Sequence, residues 1–188
     1  EMYTILPFEK AFYKKFDYDV HYVGHPLVDA IQTFKTEALS KDDFIKKHEL
    51  EDQPILALLP GSRVQEIKTK LTIMLKAAMQ FENYQIIIAG APNKPTSFYE
   101  KYLNNSQVKV IENSTYNLLN HTSLAMVTSG TATLETVLFK VPQVVCYKAS
   151  YLSYHIAKRL VKVPYISLVN LIMNQEVVKE LIQGDLTS

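Results

Sequence analysis

Two short runs carry residue types that could do chemistry on a phosphate-bearing ligand: Leu58-Leu59-Pro60-Gly61-Ser62-Arg63 and Val127-Thr128-Ser129-Gly130-Thr131-Ala132-Thr133-Leu134-Glu135. In the first, Gly61 allows close backbone approach, Ser62 can donate or accept a hydrogen bond, and Arg63 brings a planar fork that matches phosphate oxygens. The same residues also fit an ordinary strand-to-helix turn with a solvated Arg. In the second, free amides at a helix N-terminus, with the Ser129, Gly130 and Thr131 backbone and the Ser129 and Thr131 hydroxyls, suit a diphosphate. Glu135, one turn further on, is placed to accept hydrogen bonds from a ribose diol. Here the bland alternative is a Ser or Thr helix cap followed by an exposed Glu. Each run is ambiguous alone; together, at one edge of one sheet, they point to a single bound nucleotide. Neither is a Walker A sequence or a GxGxxG loop, which argues against an ATPase and a dinucleotide oxidoreductase.

Other chemistry-bearing residues carry less. Asp17-Tyr18-Asp19 matches a short acidic pattern that could hold a divalent cation, but three residues match by chance often. His25, before Pro26, reads as a hinge or packing residue before it reads as a base. Cys146 is the only cysteine and is flanked by Val144, Val145 and Tyr147, so a buried strand in a reducing compartment is expected, not a catalytic thiol. Between Glu135 and Glu176 there is no acid, while Lys140, Lys148, Lys158, Arg159 and Lys162 are present, so an anionic partner is favoured there. Tyr147, Tyr151, Tyr154 and Tyr165 add aromatic character. Leu152, Ile156 and Leu160 recur at helical spacing, which fits a helix packed on the sheet with a solvated basic face; contact with a membrane interface or a lipid phosphate is the alternative.

These residues need a scaffold. Short β-branched runs alternate with amphipathic segments of helical length, the pattern of βαβ units in a parallel sheet. Strands are expected at His21 to Gly24, Ile55 to Leu59, Tyr84 to Ala89, Val108 to Glu112, Leu124 to Thr128 and Gln143 to Tyr147. Helices are expected at Glu9 to Phe16, Gln65 to Gln80, Thr96 to Leu103, Tyr116 to Asn120, Gly130 to Phe139, Tyr151 to Val161 and Gln175 to Gln183. The fold class is therefore α/β, a Rossmann-like parallel sheet sandwiched by helices. Residues 1–50 read as a connector and 51–188 as the ligand-binding domain. At 188 residues with 47% apolar side chains the chain can bury one sizeable core, and no second full domain fits. Both ends fall next to apolar or helix-like sequence, so the chain is expected to be part of something longer. A net charge of +1 argues against a nucleic-acid surface, and no apolar run approaches the roughly 18 residues of a membrane span.

With these residues in view, the chain resembles the lipid-A-disaccharide synthase family from Leu6 to Gln183. The resemblance rests on Leu6-Pro7-Phe8-Glu9, Val23-Gly24-His25-Pro26, Leu59-Pro60-Gly61-Ser62-Arg63 with Glu66, Ser129-Gly130-Thr131-Ala132-Thr133-Leu134-Glu135, Ala157-Lys158-Arg159-Leu160 and Asn170-Leu171, in that order. It implies one half of a GT-B glycosyltransferase, of family 19, with this half holding the donor nucleotide and no metal or cofactor. The implied reaction transfers a diacylglucosamine from UDP-2,3-diacylglucosamine to 2,3-diacylglucosamine 1-phosphate with inversion. It takes place at the cytoplasmic side of the inner membrane of a Gram-negative bacterium, with a homodimer as a further implied partner. Carried over by residue, Arg63 would neutralise the UDP phosphates, Gly61 and Ser62 would form the turn beneath them, and Ser129, Gly130 and Thr131 would cradle the diphosphate. Glu135 would hold the ribose, and Asn170 and Glu176 would complete the cleft. Val169 departs from the Pro that commonly precedes this Asn in the family. The resemblance places the acceptor site and general base in the other half, so this chain alone is expected to bind UDP weakly without turnover. A UDP-sugar epimerase of similar architecture and a stand-alone UDP-binding module are the competing readings.

Overall fold

A computed structural model describes residues 1–103, 107–150, 154 and 163–187. Its centre is β3 (Ile55–Leu59), five apolar residues that are all buried. A strand without hydrophobic alternation must be covered on both faces, as in a parallel sheet. Five more strands, β4 (Gln85–Gly90), β5 (Lys109–Glu112), β6 (Leu124–Thr128), β7 (Gln143–Tyr147) and β8 (Lys179–Ile182), complete a sheet in the order β5-β4-β3-β6-β7-β8, every pair parallel.

Successive strand residues point to opposite faces, and the core divides accordingly. Ala57, Leu59, Ile87, Ala89 and Val127 pack with Ile31, Phe44 and Leu118 from helices α2 (Pro26–Glu37), α3 (Lys41–His48) and α6 (Thr115–Asn120). Leu56, Leu58, Ile88 and Cys146 pack on the other face with Ile67, Leu71 and Met74 of α4 (Val64–Ala78) and with Tyr99 of α5 (Ser97–Leu103). The helices from Pro26 to His48 thus share the core of the sheet. Along α4 the buried positions Ile67, Lys70, Leu71, Met74, Leu75 and Ala78 follow the three- and four-residue spacing of one helical face. Lys70 is 2% exposed within that face. Burial pushes its ammonium pKa down, while the nearby Glu66 and Cys146 oppose the shift.

The connectivity makes a site. From β3 the chain steps outward through β4 to β5, then crosses back to pair β6 on the other side of β3. The strand order reverses at that point, and the loops leaving the carboxyl ends of β3 and β6 diverge, opening a crevice. The turn after β3 leads into α4 and the turn after β6 into α7 (Thr131–Leu138).

The first residues form a small parallel pair, β1 (Tyr3–Thr4) with β2 (His21–Tyr22), joined through α1 (Glu9–Lys14). The strand expected at His21 to Gly24 stops at Tyr22, and Gly24 turns with φ +86° before His25 caps α2. The expected strands of the main sheet lie within a residue of their expected bounds, and α4 to α7 within two. One expectation fails: Gln175 to Gln183 is not a helix. The helix lies earlier, α8 (Leu168–Met173), and ends at Asn174 in a left-handed conformation. The amides of Val177 and Val178 then donate to the Asn170 side-chain oxygen instead of to carbonyls one turn back. The chain is thereby aimed along the free edge of β7, where Lys179 to Ile182 pair with Val144 to Tyr147. Of the helix expected at Tyr151 to Val161, and the basic cluster on it, only Tyr154 is among the described residues. No helix among the described residues is long and apolar enough to cross a membrane.

Candidate nucleotide-binding cleft

At the carboxyl end of β3, Leu59 passes into Pro60 and Gly61. Gly61 has φ +108°, a conformation L side chains rarely adopt. A Cβ there would lie 2.5 Å from Glu66 Oε2 and 3.1 Å from Glu66 Cβ. The turn and the first helical turn of α4 are therefore in mutual contact. Glu66 reaches back to accept from the Arg63 amide at 3.4 Å and from its guanidinium at 3.2 Å, the role an acidic side chain commonly takes at the third helical position. The Arg63 side chain is 83% exposed, so its guanidinium is tethered to Glu66 through Nη1 while its other N–H groups face the cleft side and solvent, available to a ligand.

Opposite, β6 ends at Thr128 and the chain turns through Ser129 and Gly130, the latter at φ +152°. Of the first amides of α7, that of Thr133 donates to the Gly130 carbonyl at 3.2 Å, and those of Thr131 and Ala132 before it lack intrahelical acceptors by geometry. The Thr133 hydroxyl donates to the Gly130 carbonyl at 2.8 Å, bracing the turn. The Ser129 hydroxyl donates to the Ile166 carbonyl at 3.0 Å. Between the two turns lies a cleft of about 530 Å³, lined by Gly61, Ser62, Arg63, Ser129, Gly130, Thr131 and Glu135 together with Glu66, Gly90, Pro92, Thr115 and Tyr116. Thr128 also lines it. Its hydroxyl is buried and has no hydrogen-bond partner among the described residues.

Glu135 is half-buried on the cleft face of α7, and the Tyr116 hydroxyl donates to its Oε1 at 3.2 Å. Burial pushes the Glu135 carboxyl above its usual range, and the Tyr116 hydrogen bond opposes that rise. The Tyr116 phenol is raised as well, by burial and then by the carboxylate beside it.

Asn170 and Glu176 do not reach the cleft walls. Asn170 is fully buried: its amide nitrogen donates to the Val178 carbonyl and to Glu180, both at 2.8 Å, and its oxygen accepts from Val177 and Val178. All four of its hydrogen-bonding positions are used inside the fold, which leaves none for a ligand. Glu176 is exposed and pairs with Lys179 at 3.1 Å. The carboxylate that matters structurally is Glu180. Burial opposes its ionisation, yet donors from the Ile166 and Ser167 amides, the Ser167 hydroxyl and Asn170 together hold it below the usual carboxylate range. This brace fixes Ile166, whose carbonyl receives Ser129. Asn170 therefore supports the second turn from behind.

Tyr116, Thr115 and Glu66 are site residues that motif reading passed over as such. Tyr116 follows the carboxyl end of β5 on the same sheet edge as the two turns, and Glu66 stands three residues after Arg63; those placements were the available signals. A larger hollow of about 660 Å³ lies at the opposite end of the sheet, beside Glu51, Phe81, Tyr84 and Lys109, where the amino ends of the strands offer no diverging loops. Cys146 is 1% exposed, and burial pushes its thiol up to about 11, so it is inert packing. Among the described residues no three His, Cys, Asp or Glu side chains gather as a metal site.

Known proteins agree with this architecture. In fold, the chain is similar to UDP-GlcNAc 2-epimerase from Methanocaldococcus jannaschii, whose structure is in complex with UDP-GlcNAc and UDP. The TM-score is 0.62 at 16% identity, over 97% of this chain and 50% of that one. The likeness to the Neisseria meningitidis UDP-GlcNAc 2-epimerase is lower, with TM-score 0.52 at 17% identity over 90% of this chain and 50% of that one. These neighbours identify the fold as one half of a GT-B architecture. In sequence, the chain is 39% identical over 183 residues to the lipid-A-disaccharide synthase of Aquifex aeolicus, covering 96% of this chain and 49% of that protein. It is 35% identical over 187 residues to that of Solibacter usitatus, covering 97% and 48%. The chain thus spans about half the length of the curated relatives it matches. A family model described as lipid-A-disaccharide synthetase matches residues 1–188, and the chain belongs to that family.

Proposed function

We propose that the chain is the donor-binding half of a lipid-A-disaccharide synthase, a UDP-dependent inverting hexosyltransferase that joins 2,3-diacylglucosamine from its UDP donor to 2,3-diacylglucosamine 1-phosphate. The observation that carries this reading is the convergence of the Gly61 to Arg63 turn, the Gly130 to Thr131 turn and Glu135 on one cleft. Residues 51–188 carry the UDP-sugar site, and residues 1–50 lead from the other half, with α2 and α3 docked on the sheet.

The chemistry follows from where charge develops. As the glycosidic bond to the donor breaks, negative charge grows on the departing diphosphate. Donors already aimed at that charge lower the barrier without reorganising, and one such donor is typically worth 10²- to 10³-fold in rate. Arg63 supplies a bidentate cation, the first amides of α7 supply fixed dipoles, and Glu135 holds the ribose so that the diphosphate sits between them. The group that deprotonates the acceptor hydroxyl is assigned to the other half of the enzyme. Attack from that side on the bound donor would invert the anomeric centre. Acylated substrates suit work at a lipid surface, and the proposed setting is the cytoplasmic face of the inner membrane with a homodimer as the assembly.

The fold likeness to UDP-GlcNAc 2-epimerases supports a second reading, a UDP-sugar epimerase, but at 16% identity it reaches only the architecture. The sequence relatives at 35% and 39% favour the transferase. UDP titrated into wild type, Arg63→Ala and Glu135→Ala tests the site. Each variant should weaken binding by about tenfold or more, as loss of a charge-assisted contact does. Equal affinity in all three would remove the site, and turnover of UDP-GlcNAc by the full-length protein would establish the epimerase.

A further inference from the structure

Tyr116 joins the cleft to the core in a way that neither motif announced. Its ring packs edge-on to Phe34, with centroids 5.4 Å apart at 74°, and lies 5.5 Å from the ring of Phe139. Phe34 comes from α2 and Phe139 closes α7, so the phenol is clamped between two elements that share the buried core. Its hydroxyl donates to Glu135 Oε1 at 3.2 Å, and no other described residue donates to that carboxylate. Resting on the nucleotide reading above, we propose that Tyr116 is a positioning residue for ribose recognition, its hydroxyl fixing one oxygen of Glu135 and leaving the other to accept from the ribose diol.

A free Glu side chain has three rotatable bonds, and a ligand that used it as an acceptor would have to order them on binding. The clamped phenol removes that cost in advance. It also offsets part of the desolvation that disfavours the ionised carboxylate, and the ionised form is the one whose two oxygens can each accept at the same time.

The test compares UDP with 2′,3′-dideoxy-UDP, which lacks both ribose hydroxyls, by calorimetric titration into full-length wild type, Tyr116→Phe and Glu135→Gln. Tyr116→Phe keeps the ring and its packing. Each protein is judged by its own ratio of two affinities, so any unfolded fraction cancels. The expected result is that Tyr116→Phe weakens UDP about fivefold and leaves the dideoxy ligand unchanged, so the ratio shrinks, as it also does in Glu135→Gln. If Glu135→Gln loses the discrimination while Tyr116→Phe keeps it in full, Glu135 reads the ribose unaided and the positioning role is overturned. If wild type does not distinguish the two ligands, or binds neither, the ribose reading itself fails and the positioning role fails with it.

Discussion

Replacing Gly61 with Ala perturbs the cleft at its tightest point. Two costs can be read from the geometry. At φ +108° an L residue is strained, by roughly 1–2 kcal/mol. The new methyl would also stand 2.5 Å from Glu66 Oε2 and 3.1 Å from Glu66 Cβ. The carboxylate can swing away, at the cost of its bonds to the Arg63 amide and guanidinium, a capping interaction worth about 0.5–2 kcal/mol. The Cβ is fixed to the helix, so α4 must shift slightly or the turn must open. The sum is about 1.5–4 kcal/mol, and at about 2–4 °C per kcal/mol for a chain of this size melting should fall by roughly 3–16 °C. Gly130→Ala isolates the strain alone, because φ is +152° but nothing lies within 4 Å of the new methyl. Gly184→Ala supplies the baseline, with open space and no unusual φ. The expected order of loss is Gly61, then Gly130, then Gly184, by differential scanning calorimetry. UDP affinity should also drop in Gly61→Ala, because Arg63 loses its brace. Should Gly61→Ala melt with Gly184→Ala and bind UDP as wild type does, the contact between turn and helix is not what shapes the site.

Glu135→Gln separates function from stability. A carboxyl held above its ordinary range in the fold contributes stability below that range and loses it as pH rises through the raised value. The amide should therefore melt higher than wild type at pH 7.5, melt alike at pH 4, and bind UDP about tenfold more weakly; a lower melting point at pH 7.5 would contradict the burial argument. Glu180 has the opposite sign: its lowered value stabilises the fold above the ordinary carboxylate range near pH 4.3, and that contribution disappears as pH falls through the lowered value. Urea titrations at pH 6 and pH 3 should show wild type losing more stability than Glu180→Gln over that interval, and equal losses would dismiss the brace. Lys70→Met exchanges a side chain whose burial disfavours its charged form for an apolar chain of similar length, so the variant should melt at or above the wild-type temperature. A fall in melting temperature would mean that the ammonium is better compensated than its surroundings suggest.

What the sequence disclosed depended on how local each signal was. The strands from Ile55, Leu124 and Gln143 were legible because each is a short run of four or five mostly apolar residues bounded by turn residues, and the two phosphate-suited turns follow two of them directly. β8 was not legible: Lys179 to Ile182 mixes charge with half-burial, and it becomes a strand only because β7 has a free edge and Asn170 captures the preceding amides. Asn170, which the resemblance implied for the cleft, lies buried behind the second turn, where its side chain braces β8. Tyr116 meets Glu135 from 19 residues away, a pairing no local pattern encodes.

The brace behind Ser129 also sets an order of events during folding. The second turn of the cleft is held by a carbonyl 37 residues later in the chain, and that carbonyl is fixed only when Glu180 arrives with the edge strand. Glu180 lies beyond β7 in the chain, so during synthesis it emerges after all the strands from β3 to β7 have been made. During synthesis, β3 to β7 can assemble while the second turn still lacks its final support. Nucleotide-binding competence should therefore lag behind burial of the core, appearing only once the last strand has docked.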